Sequence, residues 1–264
     1  MAAPAPLAPL RNPWPWAAAG IVLGLVLAVL LFLPASWLAA RVAGATEGRV
    51  QLADAQGSLW NGSATLLLTG GTGSNDSLAL PTPVEWRIRP RWNGAAIELA
   101  TACCTREPVA LRVHAGWRRV EVDVADGRSQ WPAALLAGLG TPWNTLQLDG
   151  DLQLATQGLS VEWAEGRLAL AGRAELVAQR MASRLSTLRP MGSYRMTVSG
   201  GATPNLQLET LDGALQLSGT GQWVGSRLHF NGVATAAPGR EEALANLLNI
   251  IGRRNGARSI ISIG

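Results

Sequence analysis

From Val120 to Val124 the chain reads Val-Glu-Val-Asp-Val. A side-chain period of two sends the three valines to one face of an extended strand and the two carboxylates to the other, whereas a helix would scatter them. The same rule runs through Thr145 to Gln157, where Leu146, Leu148, Leu152 and Leu154 alternate with Gln147, Asp149, Asp151 and Gln153. Leu206-Gln207-Leu208 and Leu215-Gln216-Leu217 repeat it in short form. One dry face and one wet face is the pattern of antiparallel strands. The Asn-Gly pairs of Trp60-Asn61-Gly62 and Trp92-Asn93-Gly94 favour the positive φ angles of tight hairpin turns, and Gly127, Gly166, Gly213 and Gly232 fall in similar gaps. The expectation is a mainly β protein: an antiparallel, curved β-meander, open sheet or half-barrel, forming one domain from about Ala45 onward.

Two short helices interrupt the expected meander. One is expected to be capped by Ser129, to begin near Trp131-Pro132 and to end by Gly138 or Gly140. The other follows Pro238-Gly239, with Glu241 and Glu242 in its first turn, an apolar stripe of Leu244, Leu247, Leu248 and Ile251, and a stop at Gly252 before Arg253 and Arg254. The stripe predicts a helix docked over an open end or edge of the sheet.

The other strong signal is apolar and continuous. Ala17 to Leu33 carries no charged or polar side chain, and Trp14, Trp16 and Trp37 flank it as an aromatic belt would. With help from Ser36 to Ala40 the run predicts a single N-terminal transmembrane helix. The small-x-small triplets that follow a cleaved signal peptide are mostly spoiled by Trp37, Leu38 and Arg41. Arg11 and the amino terminus ahead of the run orient it by the positive-inside rule. The expected organisation is 1–14 as cytoplasmic N-terminus, 15–44 as inner-membrane anchor and 45–264 as periplasmic β-domain, a single-pass protein of the cell inner membrane.

That topology changes the meaning of the charge. The net charge is +4, and all 22 basic residues are Arg. Basic proteins tend to meet nucleic acid, but a periplasmic domain would encounter none, and these arginines are scattered, the densest group being Arg253, Arg254 and Arg258. Chemistry is equally sparse. His114 and His229 sit in strand patterns without ligands at metal spacing, and no Gly-x-Ser-x-Gly nucleophile elbow is present. The carboxylate pairs Glu121/Asp123 and Asp149/Asp151 belong to wet strand faces. No catalytic residue, metal site or cofactor is expected, and the chain does not read as an enzyme. Cys103 and Cys104 would occupy an oxidising compartment. Consecutive Cα atoms lie about 3.8 Å apart, closer than a relaxed disulfide prefers, so the readings are a vicinal disulfide in a loop, two thiols, or an intermolecular bond.

After the apolar run, Val50-Gln51-Leu52-Ala53-Asp54-Ala55-Gln56-Gly57-Ser58-Leu59-Trp60-Asn61-Gly62 resembles the opening of general (type II) secretion pathway protein N, with Gly57, Leu59, Trp60 and Gly62 as its signature. The resemblance continues in order through Val84 to Pro90, Trp131 to Leu136, Leu146 to Leu154, Gly192 to Tyr194, Gly213 to Gly219, Phe230 to Gly232 and Leu247 to Arg253. The signature is also similar to that of the broader AsmA-like group of periplasmic β-proteins. What the first resemblance implies is an accessory inner-membrane component of the type II secretion machinery, a scaffold or adaptor for export of folded proteins. Its partners would be the inner-membrane assembly platform and the outer-membrane secretin. What the second implies is an AsmA-like or lipopolysaccharide-transport-like lipid-binding periplasmic adaptor whose open apolar face holds an acyl chain. A sheet edge, expected near Thr65 and Leu67, is the natural place to recruit a partner strand.

Overall fold

A computed structural model describes residues 14–201, 203–225 and 227–264. Residues 1–13, read above as part of a cytoplasmic N-terminus, lie outside the described residues. After two helices, α1 (Trp14–Leu31) and α2 (Ala35–Ala45), come β1 (Val50–Gly57), β2 (Asn61–Thr69), β3 (Ser77–Ala79), β4 (Val84–Arg91), β5 (Gly94–Ala100), β6 (Val109–Gly116), β7 (Arg119–Val124) and β8 (Gly127–Pro132). A 3-10 helix (Ala133–Leu139) and α3 (Trp143–Leu146) lead into β9 (Leu148–Ala164), β10 (Arg167–Ser183), β11 (Gly192–Ser199), β12 (Asn205–Gly213), β13 (Leu215–Val224) and β14 (Arg227–Ala236). The chain closes with α4 (Glu241–Ile251), β15 (Arg253–Asn255) and β16 (Arg258–Ile263).

The strands form one open antiparallel sheet of 16, ordered β1-β2-β4-β5-β6-β7-β9-β10-β11-β12-β13-β14-β16-β15, with β3 beside β2 and β8 beside β9. Nearly every strand lies next to its sequence neighbour. Departures come at β4, which pairs with β2 beside β3, at β16, which enters between β14 and β15, and at β9, which is 17 residues long. Its C-terminal half pairs with β7, as in Val122↔Val161, and its N-terminal half with β8, as in Trp131↔Leu152. An extra residue at Gly158 separates the halves, and the Asp126 carboxylate in the β7–β8 corner accepts its N–H at 2.6 Å. A bulge of this kind bends the strand and lets one partner give way to another.

Three clusters bury apolar side chains on the sheet. The largest sets Leu244, Leu247 and Leu248 of α4 against Met181, Tyr194, Leu215 and Ala234. The α4 stripe is where the periodicity puts it, and the Leu248 carbonyl accepts the buried Ser259 hydroxyl. A second cluster packs Ala35 of α2 on Ala64 and Trp86, and a third packs Leu135 of the 3-10 helix on Leu80 and Cys104. Between them the helices leave an apolar tract of the same face. Val113, Val122, Val161 and Leu170 lie in register across β6, β7, β9 and β10, with Leu111, Val124 and Leu159 in the adjacent row. These side chains are half-buried.

Several expectations change. Helical segments number more than two, because α2 and α3 form as well. The segment after Trp131 is a 3-10 helix, and Ser129 lies in β8, where its hydroxyl accepts the Trp131 indole N–H at 2.8 Å. Leu146 belongs to α3 because Gln147, in the left-handed region at φ 40°, ends that turn and starts β9 one residue later. Asn61-Gly62 is already strand, the β1–β2 connection being Ser58 to Trp60. Gly232 sits inside β14 opposite Gly219, under the Phe230 ring. Thr65 and Leu67 are not at the edge, since β1 covers one side of β2 and β3 and β4 cover the other. The apolar run forms α1, 18 residues long, about 27 Å at ~1.5 Å per residue. Pro34 interrupts the helix, and Ser36 to Ala40 turn onto β1 within α2 instead of extending it. Among the described residues no helix is long and apolar enough to cross a membrane.

Candidate interaction site

The signature residues cluster where the N-terminal helices meet the sheet. Gly57 has φ +87°, and a Cβ there would lie 2.6 Å from the Asn61 carbonyl oxygen, so the tight end of β1 requires glycine. Ser58 closes the connection twice: its N–H donates to the Asn61 carbonyl at 2.9 Å, and its hydroxyl accepts the Asn61 N–H at 3.2 Å. Leu59 then reaches in two directions. Its N–H donates to the Leu33 carbonyl at 2.8 Å, and its carbonyl accepts the Trp86 indole N–H at 3.1 Å. Trp60 offers its carbonyl to the Ile88 N–H at 2.7 Å. Pro34 forms an antiparallel bridge to Ser58.

Trp86, 3% exposed, lies beneath Ala35 and is flanked by Leu38, Leu52 and Ile88. Its ring occupies the space a side chain at Gly62 would need, since a Cβ there would stand 2.6 Å from Trp86 Cζ2. The signature is therefore a joint. It fixes the exit of α1 against the first hairpin by backbone hydrogen bonds and wedges α2 on the sheet with one indole. Sequence reasoning singled out Gly57, Leu59, Trp60 and Gly62 but not Trp86, whose position between Val84 and Ile88 on the dry face was the available signal.

Cys103 and Cys104 are joined by a disulfide in the turn between β5 and β6, with Cα atoms 3.7 Å apart. Cys104 is buried and Cys103 exposed. Thr82 Oγ1 accepts the Cys103 N–H at 3.1 Å, and the Cys104 carbonyl accepts the Gln130 N–H at 2.8 Å, so the turn is stitched to β8. The pair borders an open cleft of about 700 Å³ on the polar face, with Arg106, Arg128, Arg173 and Glu175 around it. The signature joint and this cleft are separate places.

The two histidines stand on strands that are not neighbours in the sheet. His114 Nε2 lies 3.4 Å from Asp123 Oδ2 and its Nδ1 lies 3.2 Å from Asn93 Nδ2, on the polar face where Arg119 also bridges Glu121 and Glu162. His229 lies in β14 opposite Gln222. Among the described residues no three His, Cys, Asp or Glu side chains gather as metal ligands would. Tyr194 is buried in the largest cluster. Burial, reinforced by the negative charge of Asp212, holds its phenol well above the ordinary value, and its hydroxyl has no hydrogen-bond partner among the described residues.

The two sheet margins differ from the expected edge. At β1 the pairing slips between Ala53 and Gln56, with Asp54 at φ 52°. The other margin, β15, is three residues long and carries Arg253 and Arg254. A bulge and a short charged strand are both devices that blunt open edges.

Fold and site together define a class: a mainly β protein with one open antiparallel sheet, whose distinctive residues make a structural joint. The family model for type II secretion system protein N matches residues 48–261, and the chain belongs to that family. That family is a component of the secretion machinery and not a known enzyme family. No curated protein and no solved structure matches the chain.

Proposed function

We propose that the protein is an accessory inner-membrane component of the type II secretion machinery, held in the membrane by α1, with its sheet in the periplasm as scaffold or adaptor. Family membership supports the machinery. The observation that carries the tethered reading is the joint: the Leu59 N–H on the Leu33 carbonyl and the Trp86 wedge hold the sheet in a fixed attitude to the end of an apolar helix whose side chains are exposed. A scaffold needs that attitude, because a partner surface presented on a loose linker has no defined address. We take 1–13 and α1 as the cytoplasmic and membrane parts. Our boundary of the periplasmic unit is Pro34, since α2 packs on β1. Its partners in this reading are the assembly platform and the secretin.

The test is made in the intact cell. A photo-crosslinking residue at exposed positions of β1, such as Gln51 and Gln56, is expected to capture a platform or secretin subunit, and a periplasm-active reporter after Gly264 is expected to be active. A reporter active only in the cytoplasm reverses the orientation. One observation favours the lipid-adaptor alternative, the half-buried apolar tract over β6, β7, β9 and β10 that no helix among the described residues covers. Stoichiometric lipid co-purifying with the protein, together with no capture of secretion components, would favour it over the scaffold.

A further inference from the structure

The antiparallel meander sends its connections alternately to two ends. One end carries the turns of β1–β2, β4–β5, β6–β7, β9–β10, β11–β12 and β13–β14, as the closing pairs Gly57↔Gly62, Arg91↔Gly94, Gly116↔Arg119, Arg167↔Ala164, Ser199↔Asn205 and Val224↔Arg227 show. The β4–β5, β6–β7 and β9–β10 turns are contiguous: the Ala115 N–H donates to the Asn93 carbonyl at 2.9 Å, and Arg119 pairs with Ala164. Four of the six carry the same two residue types, while the β11–β12 turn carries neither. Arg91-Trp92 tips the β4–β5 hairpin, Trp117-Arg118 the next, Trp163 and Arg167 bracket the third, and Trp223 and Arg227 bracket the β13–β14 turn.

Turn geometry asks for Gly, Asn or Asp and has no use for indole. Yet Trp92 and Trp117 are 104% and 95% exposed, and Trp163 is half in water. Arg91, Arg118, Arg167 and Arg227 are exposed and make no ion pair among the described residues. Trp37, partly exposed with the Arg41 guanidinium 4.9 Å above its ring, stands in the first turn of α2 beside the same end. Adjacent strands are ~4.8 Å apart, so successive hairpin tips recur about every 10 Å along the rim.

We infer that this rim of tryptophans and arginines seats on the anionic headgroup layer of a membrane. Indole rings concentrate at the depth where one end meets apolar chains and the other meets water, and guanidinium groups bind phosphate oxygens in pairs. The rim is also the end at which the apolar α1 arrives, because Leu33 is hydrogen-bonded to the first of these turns. The inference depends on α1 as an anchor only for which way the rim faces. The β-sheet then touches the bilayer directly, at a second and broader contact than the helix.

The full chain reconstituted in phosphatidylethanolamine and phosphatidylglycerol vesicles with brominated acyl chains provides the test, since bromine quenches nearby indoles. In a W14F/W16F/W37F background the remaining emission is expected to be quenched, and adding W92F/W117F/W163F is expected to remove at least half of that quenching with the far-ultraviolet dichroism unchanged. R91Q/R118Q/R167Q, or neutral phosphatidylcholine in place of the anionic lipid, is expected to lower rim quenching at least twofold. Rim indoles unquenched while Trp14 and Trp16 are quenched overturn the inference, leave the anchor standing and point to a protein occupant. Quenching at the rim but not at Trp14 and Trp16 upholds the inference and removes the anchor. Rim quenching indifferent to both the arginines and the lipid charge overturns the headgroup contact.

Discussion

Gly62 has no room for a methyl group, because the Trp86 ring and the Gln56 carbonyl oxygen would both lie within 2.6 Å of it. Overpacking of this kind costs about 1–3 kcal/mol. G62A is expected to lower stability by that amount in urea unfolding, and W86A by about 3–5 kcal/mol, as a large buried ring leaves a cavity. Tyr194 gives a pH signature. Its phenol is raised above the ordinary value of 10.0 in the folded protein by burial first and Asp212 second. Below about pH 10 the folded and unfolded phenols are both protonated and the contribution does not vary with pH. Above that pH the unfolded chain releases its proton first, the folded state binds more protons, and stability falls by up to about 1.4 kcal/mol per pH unit. Urea midpoints of wild type and Y194F at pH 9 and pH 11 check this: the extra alkaline loss is expected in wild type alone, and Y194F is expected to be about 1 kcal/mol more stable at pH 9, being relieved of a buried unpaired hydroxyl. After reduction, Cys103 is expected to react with maleimide well before the buried Cys104, as peptide mapping over a time course would show.

Among the elements, α4 depends most directly on its buried stripe. L248A is expected to cost about 2–5 kcal/mol in urea unfolding, since Leu248 is fully enclosed. The stripe was legible because burial follows the 3.6-residue period. Where a segment's fate was decided by a distant partner, local reading failed. Ser36 to Ala40 are apolar enough to extend a spanning helix, but Pro34 breaks the helix and Trp86 draws Ala35 onto the sheet. The Asn-Gly of Asn61-Gly62 signals a turn, yet the close approach of Trp86 claims that glycine for packing. The signature was visible as a resemblance, but its role as a joint was not, because the Trp86 indole donor sits 27 residues from the Leu59 carbonyl it reaches. The tip tryptophans were legible as residues and illegible as a rim, because which end a turn faces is set by pairing across the whole sheet.

At the scale of the molecule the alternating pattern was the reliable guide, and it led to the open antiparallel sheet. What it could not supply was the switch at β9, where one 17-residue strand serves two partners in turn. D126A removes the carboxylate that holds Gly158 at that switch and is expected to loosen the β7–β8 corner, with faster amide exchange around Ala125 and Gly158 and a global loss of about 1 kcal/mol.

The near-sequential strand order has a further consequence for how such a protein is made. Almost every strand pairs with the one synthesised just before it, so loop closure is short at nearly every step. A chain emerging end first can lay down its sheet largely in order of arrival, while β8 and β15 wait for the strand that follows them. β9 and β16 each meet two templates, and α4 and the 3-10 helix each pack on strands from both sides of their own position. Assembly that grows by accretion exposes a single fresh margin at a time, until β16 enters between β14 and β15 and leaves the short, arginine-bearing β15 as the final margin.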